Sequence, residues 1–182
     1  MIWIKVKLRM SDQAWGKEET RRNMNAPDEL MAGLEAAVLS VGVAAVRRAH
    51  AGKLALCDRL EAIADSLPNE LDRRECLLAA RALGPGLVKV HRYEENQVFP
   101  LFCSRFGETA EARETVERLK CEHFEDESYA AELREALRLA ARQGRVENPE
   151  TLGFMLRGFF GALRRHIAFE RDHVLAQLAS HE

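Results

Sequence analysis

The sequence predicts an all-α protein, an up-down-up-down four-helix bundle with a metal site in the bundle core. Three observations carry this prediction: a composition suited to long amphipathic helices, three short breaks that leave four helical segments, and one histidine in the apolar stripe of each segment. Long helices with short connections favour antiparallel neighbours, as in up-and-down bundles.

The composition indicates a single globular domain. Of the 182 residues, 47% are hydrophobic and 31% are charged, with 5 prolines and 11 glycines, which argues against a disordered chain. Acidic and basic residues are interspersed and the net charge is -2, so a nucleic-acid partner is not expected. No apolar stretch is long and uncharged enough to predict a membrane span. The four cysteines form no CxxC pair and no secretory signal is recognisable, which predicts a cytoplasmic protein.

The pattern divides the chain into an N-terminal tail, 1–26, and a helical bundle, 27–182. For the tail, a short strand and an unpacked segment are both open. The breaks in the bundle fall at Leu67-Pro68-Asn69, around Gly107 and across residues 144–149. Within the second segment, Pro85 predicts a kink or a division of the helix, because proline lacks an N–H group and clashes with the preceding turn.

A histidine interrupts each apolar stripe near its middle. His91 and His123 each lie 16 residues from Gly107, while His50 and His91 lie 19 and 22 residues from Asn69. Because every helical residue adds the same rise, near-equal distances from a turn place residues of antiparallel helices at one level. His166 follows the third break at a similar distance. The four imidazoles are therefore expected to converge.

Two of the histidines are followed by a glutamate one turn later, in His91-x-x-x-Glu95 and His166-x-x-x-Glu170. This spacing places both side chains on one helix face. Each pair comes 41 or 43 residues after a single histidine, so the two halves look like copies. Imidazoles and carboxylates are costly in an apolar interior unless they are paired or bind metal, and this set balances two divalent cations.

The predicted metal ligands come from all four segments. They are His50, His91, Glu95, His123, His166 and Glu170. Nitrogen and oxygen donors without cysteine suit iron, manganese or zinc, and ligand type alone does not choose among them. Glu127, one turn after His123, is a further candidate ligand, against the alternative of a solvated or hydrogen-bonded side chain. In the first segment, Leu54 is expected on the inner face after His50.

These residues resemble the hemerythrin-like domains with the HHE cation-binding motif, over about residues 28–180. The resemblance is carried by Ala49-His50, by the segment from His91 to Phe102, by Glu122-His123 and by the segment from His166 to Glu170. It implies two non-haem irons bridged by Glu95 and Glu170. It also implies that His50 and His91 bind one iron, that His123 and His166 bind the other, and that one position stays open for dioxygen.

The chain departs from the family's oxygen carriers in the third segment. Those proteins have a fifth histidine there, one turn from the other, whereas Leu119 and Glu127 hold the corresponding positions here. This difference argues against reversible oxygen carriage.

The favoured interpretation is a non-enzymatic protein whose di-iron centre binds dioxygen, or another diatomic or peroxide ligand, for sensing, storage or scavenging. A di-iron enzyme with peroxidase- or oxidase-like activity is the first alternative, and a metal-free helical interaction module is the second. No catalytic residue is predicted, and the protein partner is not identified.

Overall fold

The structure is a computed structural model that describes residues 42–107 and 109–180, all within one compact unit. Every regular element in these ranges is helical, which confirms the all-α class. The α-helices are α1 (42–66), α2 (Arg73–Ala82), α3 (Pro85–Tyr93), α4 (Phe99–Phe106), α5 (Ala110–Gln143), α6 (Pro149–Glu170) and α7 (Ala176–Ala179). The predicted tail, 1–26, and the first residues of the predicted bundle lie outside the described ranges.

Two π-helical turns join consecutive helices without a break in the chain. Glu94–Val98 connects α3 to α4, and Arg171–Leu175 connects α6 to α7. With these turns included, the described helices form four segments, and the segments are separated at the three predicted breaks. The structure is therefore a helical bundle of four segments.

Local chemistry explains where the segments begin and end. The side chains of Asp72, Thr109 and Asn148 each accept a hydrogen bond from a backbone N–H in the first turn of the following helix. Such caps satisfy donors that have no partner within the helix. Gly107 and Gly144 follow the ends of α4 and α5 with φ of 72° and 70°, a conformation that glycine adopts without a Cβ penalty.

The second segment is divided at the predicted proline. α2 ends at Ala82, and α3 begins at Pro85. A proline is tolerated at the first helical position because that residue's N–H would have no partner within the helix. The sequence left a kink and a division of the helix open, and the structure shows a division.

The buried apolar side chains form two clusters, and a layer of buried polar residues comes between them along the helices. Along α1, Val46 belongs to one cluster and Cys57 to the other, with His50 between them. Along α5, His123 is flanked in the same way. Among the described helices, none has the length and apolar character needed to cross a membrane. The polar layer is where the candidate site lies.

Candidate metal centre

The structure brings the four predicted histidines together in the polar layer. His50 lies on α1, His91 on α3, His123 on α5 and His166 on α6, and all four are buried. The rings of His91 and His123 stack with centroids 4.0 Å apart, and those of His123 and His166 lie 5.0 Å apart. His50 joins the group through Glu170, since its Nε2 lies 2.8 Å from Glu170 Oε2.

The central carboxylate of the second segment is Glu94, which the sequence analysis missed, and not Glu95. Glu94 is fully buried, and its two oxygens lie 3.5 Å from His50 Nε2 and 3.3 Å from His123 Nε2. The Glu95 side chain is 35% exposed and reaches His123 from outside, with its Oε1 2.7 Å from Nδ1. The structure thus places Glu94, and not Glu95, among the inner side chains of the layer.

Residues three and four positions after His91 both share its helix face, so the spacing alone admits either Glu94 or Glu95, and a π-helical turn begins at Glu94. The Phe99 N–H donates to the Glu94 carbonyl, five residues back, so the turn holds an additional residue and the helical phase changes. The turn includes Asn96, whose carbonyl would clash with Pro100 in a regular α-helix. In α6 the second π-helical turn starts only after Glu170, so the four-residue spacing from His166 is retained there.

An acidic side chain contacts the outer nitrogen, Nδ1, of three of the histidines. The pairs are His91 with Glu127 at 3.0 Å, His123 with Glu95 at 2.7 Å, and His166 with Asp126 at 2.8 Å. An ionised carboxylate only accepts hydrogen bonds, so each Nδ1–H donates, and a neutral ring in this tautomer would keep its lone pair on Nε2. Carboxylates placed in this way commonly orient histidines that bind metal.

The inner nitrogens of these three rings lack partners. The Nε2 atoms of His91, His123 and His166 are buried and have no hydrogen-bond partner among the described residues, and the same holds for Oε1 of Glu170. Leaving a buried polar atom unsatisfied costs about 1–3 kcal/mol, so four in one layer would destabilise the core strongly. The atoms point to a ligand that accepts their lone pairs.

Two groups of three residues have the spacing to hold a metal ion. One is His91, Glu94 and His123; the other is His50, Glu94 and Glu170. Within each group the candidate ligand atoms lie within 4.8 Å of one another, and every residue is buried. Glu94 belongs to both groups. The donors are nitrogen and oxygen atoms, so the residues fit iron, manganese or zinc.

The environment favours the metal-binding protonation states at His91 and Glu94 but not at His50 and His123. Burial would lower the pKa of His50 and His123, but contacts with Glu170 and with Glu94 outweigh burial and raise it. Burial lowers the pKa of His91 to about 2, with the charge of Lys53 contributing, so this imidazole stays neutral. Burial alone would raise the pKa of Glu94, but contacts with His123 and His50 outweigh burial and hold it well below its usual range. A neutral imidazole and an ionised carboxylate are the forms that bind metal.

Lys53 is the second site residue that the sequence analysis missed. Its side chain is buried, and its Nζ lies 3.4 Å from each oxygen of Glu94. The inner position after His50 had been predicted for Leu54, which is 38% exposed. The three-residue spacing from His50 to Lys53 was the available signal, because it places both residues on one helix face.

The third segment contributes one imidazole to the layer. Leu119 is fully buried in an apolar cluster, and Glu127 lies behind His91, at the nitrogen that faces away from Glu94. Glu127 is thus placed as a hydrogen-bonded side chain and not among the inner donors. No fifth histidine joins the four in the part of the chain that the structure describes.

The comparison with protein families matches this arrangement. Residues 41–178 match the family model of the hemerythrin HHE cation-binding domain. No significant match was found among curated proteins or among solved structures. The match covers most of the chain and includes every helix that supplies a histidine or an inner carboxylate. The chain therefore belongs to the hemerythrin HHE cation-binding domain family.

Proposed function

We propose that the protein is a hemerythrin-like metal-binding protein. In this proposal an up-down-up-down bundle holds two non-haem iron ions and binds dioxygen or a related small ligand for sensing, storage or scavenging. The observation that carries the proposal is the set of four buried donor atoms without partners in one polar layer. A bound metal ion would give these nitrogen and oxygen atoms a partner. Apolar side chains packed against them would leave them without one.

The two groups that share Glu94 support an assignment of the ligands. His91, Glu94 and His123 would hold one ion, and His50, Glu94 and Glu170 the other. The unpaired Nε2 of His166 lies 3.8 Å from Glu170 Oε2 and is a further donor. Glu94 and Glu170 replace the predicted bridging pair of Glu95 and Glu170.

The chain's own residues would orient and shield the ions. The acids behind His91, His123 and His166 hold each ring in the orientation that presents Nε2. The two apolar clusters flank the polar layer and limit access of bulk water. Iron supplies a redox-active cation with a coordination position for a small ligand, and the four free cysteines suit a reducing cytoplasm.

The test begins with anaerobic purification and a metal count per chain. Oxygen is then added while the visible spectrum is followed for a ligand-to-iron charge-transfer band. A reversible band supports binding, and a transient band with turnover of peroxide and a reductant supports the enzyme instead.

His123→Ala is the informative variant, and His173→Ala is its matched control. His173 is exposed, and its Nδ1 lies 2.9 Å from the Phe169 carbonyl oxygen, away from the inner donors. We expect metal to be lost in the first variant and retained in the second. Wild-type protein that contains no metal and gains no thermal stability from ferrous iron would refute the proposal.

A further inference from the structure

A buried lysine lies in the polar layer, beside the carboxylate that the two candidate metal groups share. Lys53 projects from α1, one turn after His50, and its side chain is 6% exposed. An ammonium group is costly to bury unless it is paired and hydrogen-bonded. Glu94 supplies that partner, so the lysine and the metal ions would use the same carboxylate.

The position of the ammonium relative to that carboxylate is symmetric. Lys53 Nζ lies 3.4 Å from both oxygens of Glu94. One of these oxygens faces His50 and the other faces His123, the two histidines that belong to different metal groups. The ammonium therefore lies against the same two oxygens that two ions held together by Glu94 would use.

The buried charges also favour a mixed arrangement of one lysine and one ion. In the described part of the layer, Glu94, Asp126 and Glu170 are the buried carboxylates and Lys53 is the buried ammonium. A second divalent ion would add two positive charges close to the ammonium, at a distance where repulsion in a protein interior is strong.

We propose that Lys53 is a built-in competitor for the second metal ion. Its ammonium holds Glu94, so the centre binds one divalent ion tightly and a second ion only when the ammonium leaves the carboxylate. This inference rests on the proposed function, since it concerns how the same centre is loaded. It makes the number of ions per chain a property of one residue on α1.

The test compares wild-type protein with Lys53→Met after the metal has been removed with a chelator. Ferrous iron is titrated in without oxygen, binding is followed by calorimetry, and the metal is counted after desalting. We expect the wild type to bind the second ion more weakly than the first and the variant to bind both ions with similar affinity. The dissociation constant of the second ion should fall by at least about tenfold in the variant, because a like charge has been removed.

Two further variants control the comparison. Lys53→Arg keeps a cation beside Glu94 and should bind the second ion as weakly as the wild type does. Lys89→Met removes an exposed lysine on α3 and should behave as the wild type. Should Lys53→Met fail to fold, as judged by circular dichroism, Lys53→Gln takes its place with the same expectation.

The outcomes separate this inference from the function on which it rests. Wild-type protein that binds two ions with equal affinity would overturn the role of Lys53, whatever the variants do. Retention of a single ion by both neutral variants would overturn it as well. Wild-type protein that binds no iron would overturn the proposed function and this inference with it.

Discussion

Glu94→Gln and Glu95→Gln form a matched pair that tests which glutamate the metal uses. The two residues are neighbours in one π-helical turn, and each substitution removes one charge with little change in volume. Glu94 is fully buried and belongs to both metal groups, whereas Glu95 contacts only the outer nitrogen of His123. We expect the first substitution to weaken metal binding far more than the second.

The magnitudes follow from these positions. Loss of an outer carboxylate typically lowers metal affinity by about 10- to 100-fold, which is the range expected for Glu95→Gln. Removing one partner of a buried charge pair costs about 3–5 kcal/mol, so Glu94→Gln should lower affinity by roughly 10²- to 10⁴-fold. Competition with a chelator of known affinity measures both variants under the same conditions.

The folded state of each variant is the control for this comparison, measured by circular dichroism on metal-free protein. An equal or larger loss of affinity in Glu95→Gln would refute the reasoning. It would mean that Glu95, at the four-residue spacing from His91, is the ligand, and that the burial of Glu94 does not identify the residue that binds metal.

Three other outcomes are expected. Asp126→Asn should lower metal affinity by about 10- to 100-fold in the same chelator assay, since it removes the negative charge of the acceptor behind His166, and unchanged affinity would contradict that role. Burial raises the pKa of the Cys57 and Cys76 thiols to about 11, and the thiolate is the reactive form. Both should therefore stay unlabelled below pH 9 and react with an alkylating reagent only as the pH rises further, whereas exposed Cys121 reacts first; mass spectrometry of digests checks the order. Ferrous iron at 100 times its dissociation constant should stabilise metal-free protein by about 2.7 kcal/mol in anaerobic thermal unfolding, and no shift would contradict metal binding to the folded state.

The helical segments and the level of the histidines could be predicted from the sequence because both depend on local and regular geometry. Gly107 ends one segment through its left-handed backbone, and Pro85 divides another because of its missing N–H. Because the rise per residue is constant, counting residues from each turn gives the level of His91 and His123 along their helices. None of these steps requires knowledge of how the helices pack.

The identity of the inner carboxylate could not be predicted in the same way. Positions three and four residues after His91 share its face in a regular α-helix, so counting alone does not separate Glu94 from Glu95. Pro100 indicated an irregular helix after His91, because a proline inside a helix disturbs the turn before it. The sequence does not say whether the disturbance becomes a kink, a break or a wider turn.

Lys53 was missed for a different physical reason. The apolar pattern assigns lysine to solvent and leucine to the core, so Leu54 was expected to face inward. The actual positions are the reverse, because the polar layer offers Lys53 a carboxylate partner that an apolar core lacks. Which polar side chains pair across helices depends on packing between segments distant in sequence.

The polar layer links stability to metal loading. The apolar clusters on either side stabilise the bundle. When no metal is bound, folding is opposed by buried polar atoms that lack a hydrogen-bond partner, in His91, His123, His166 and Glu170. Lys53 offsets a separate cost, that of burying the charge of Glu94. Lys53 therefore stabilises the metal-free chain and competes with the metal for the carboxylate of Glu94. Stronger pairing of Lys53 with Glu94 raises the stability of the metal-free chain and lowers the affinity for a second ion.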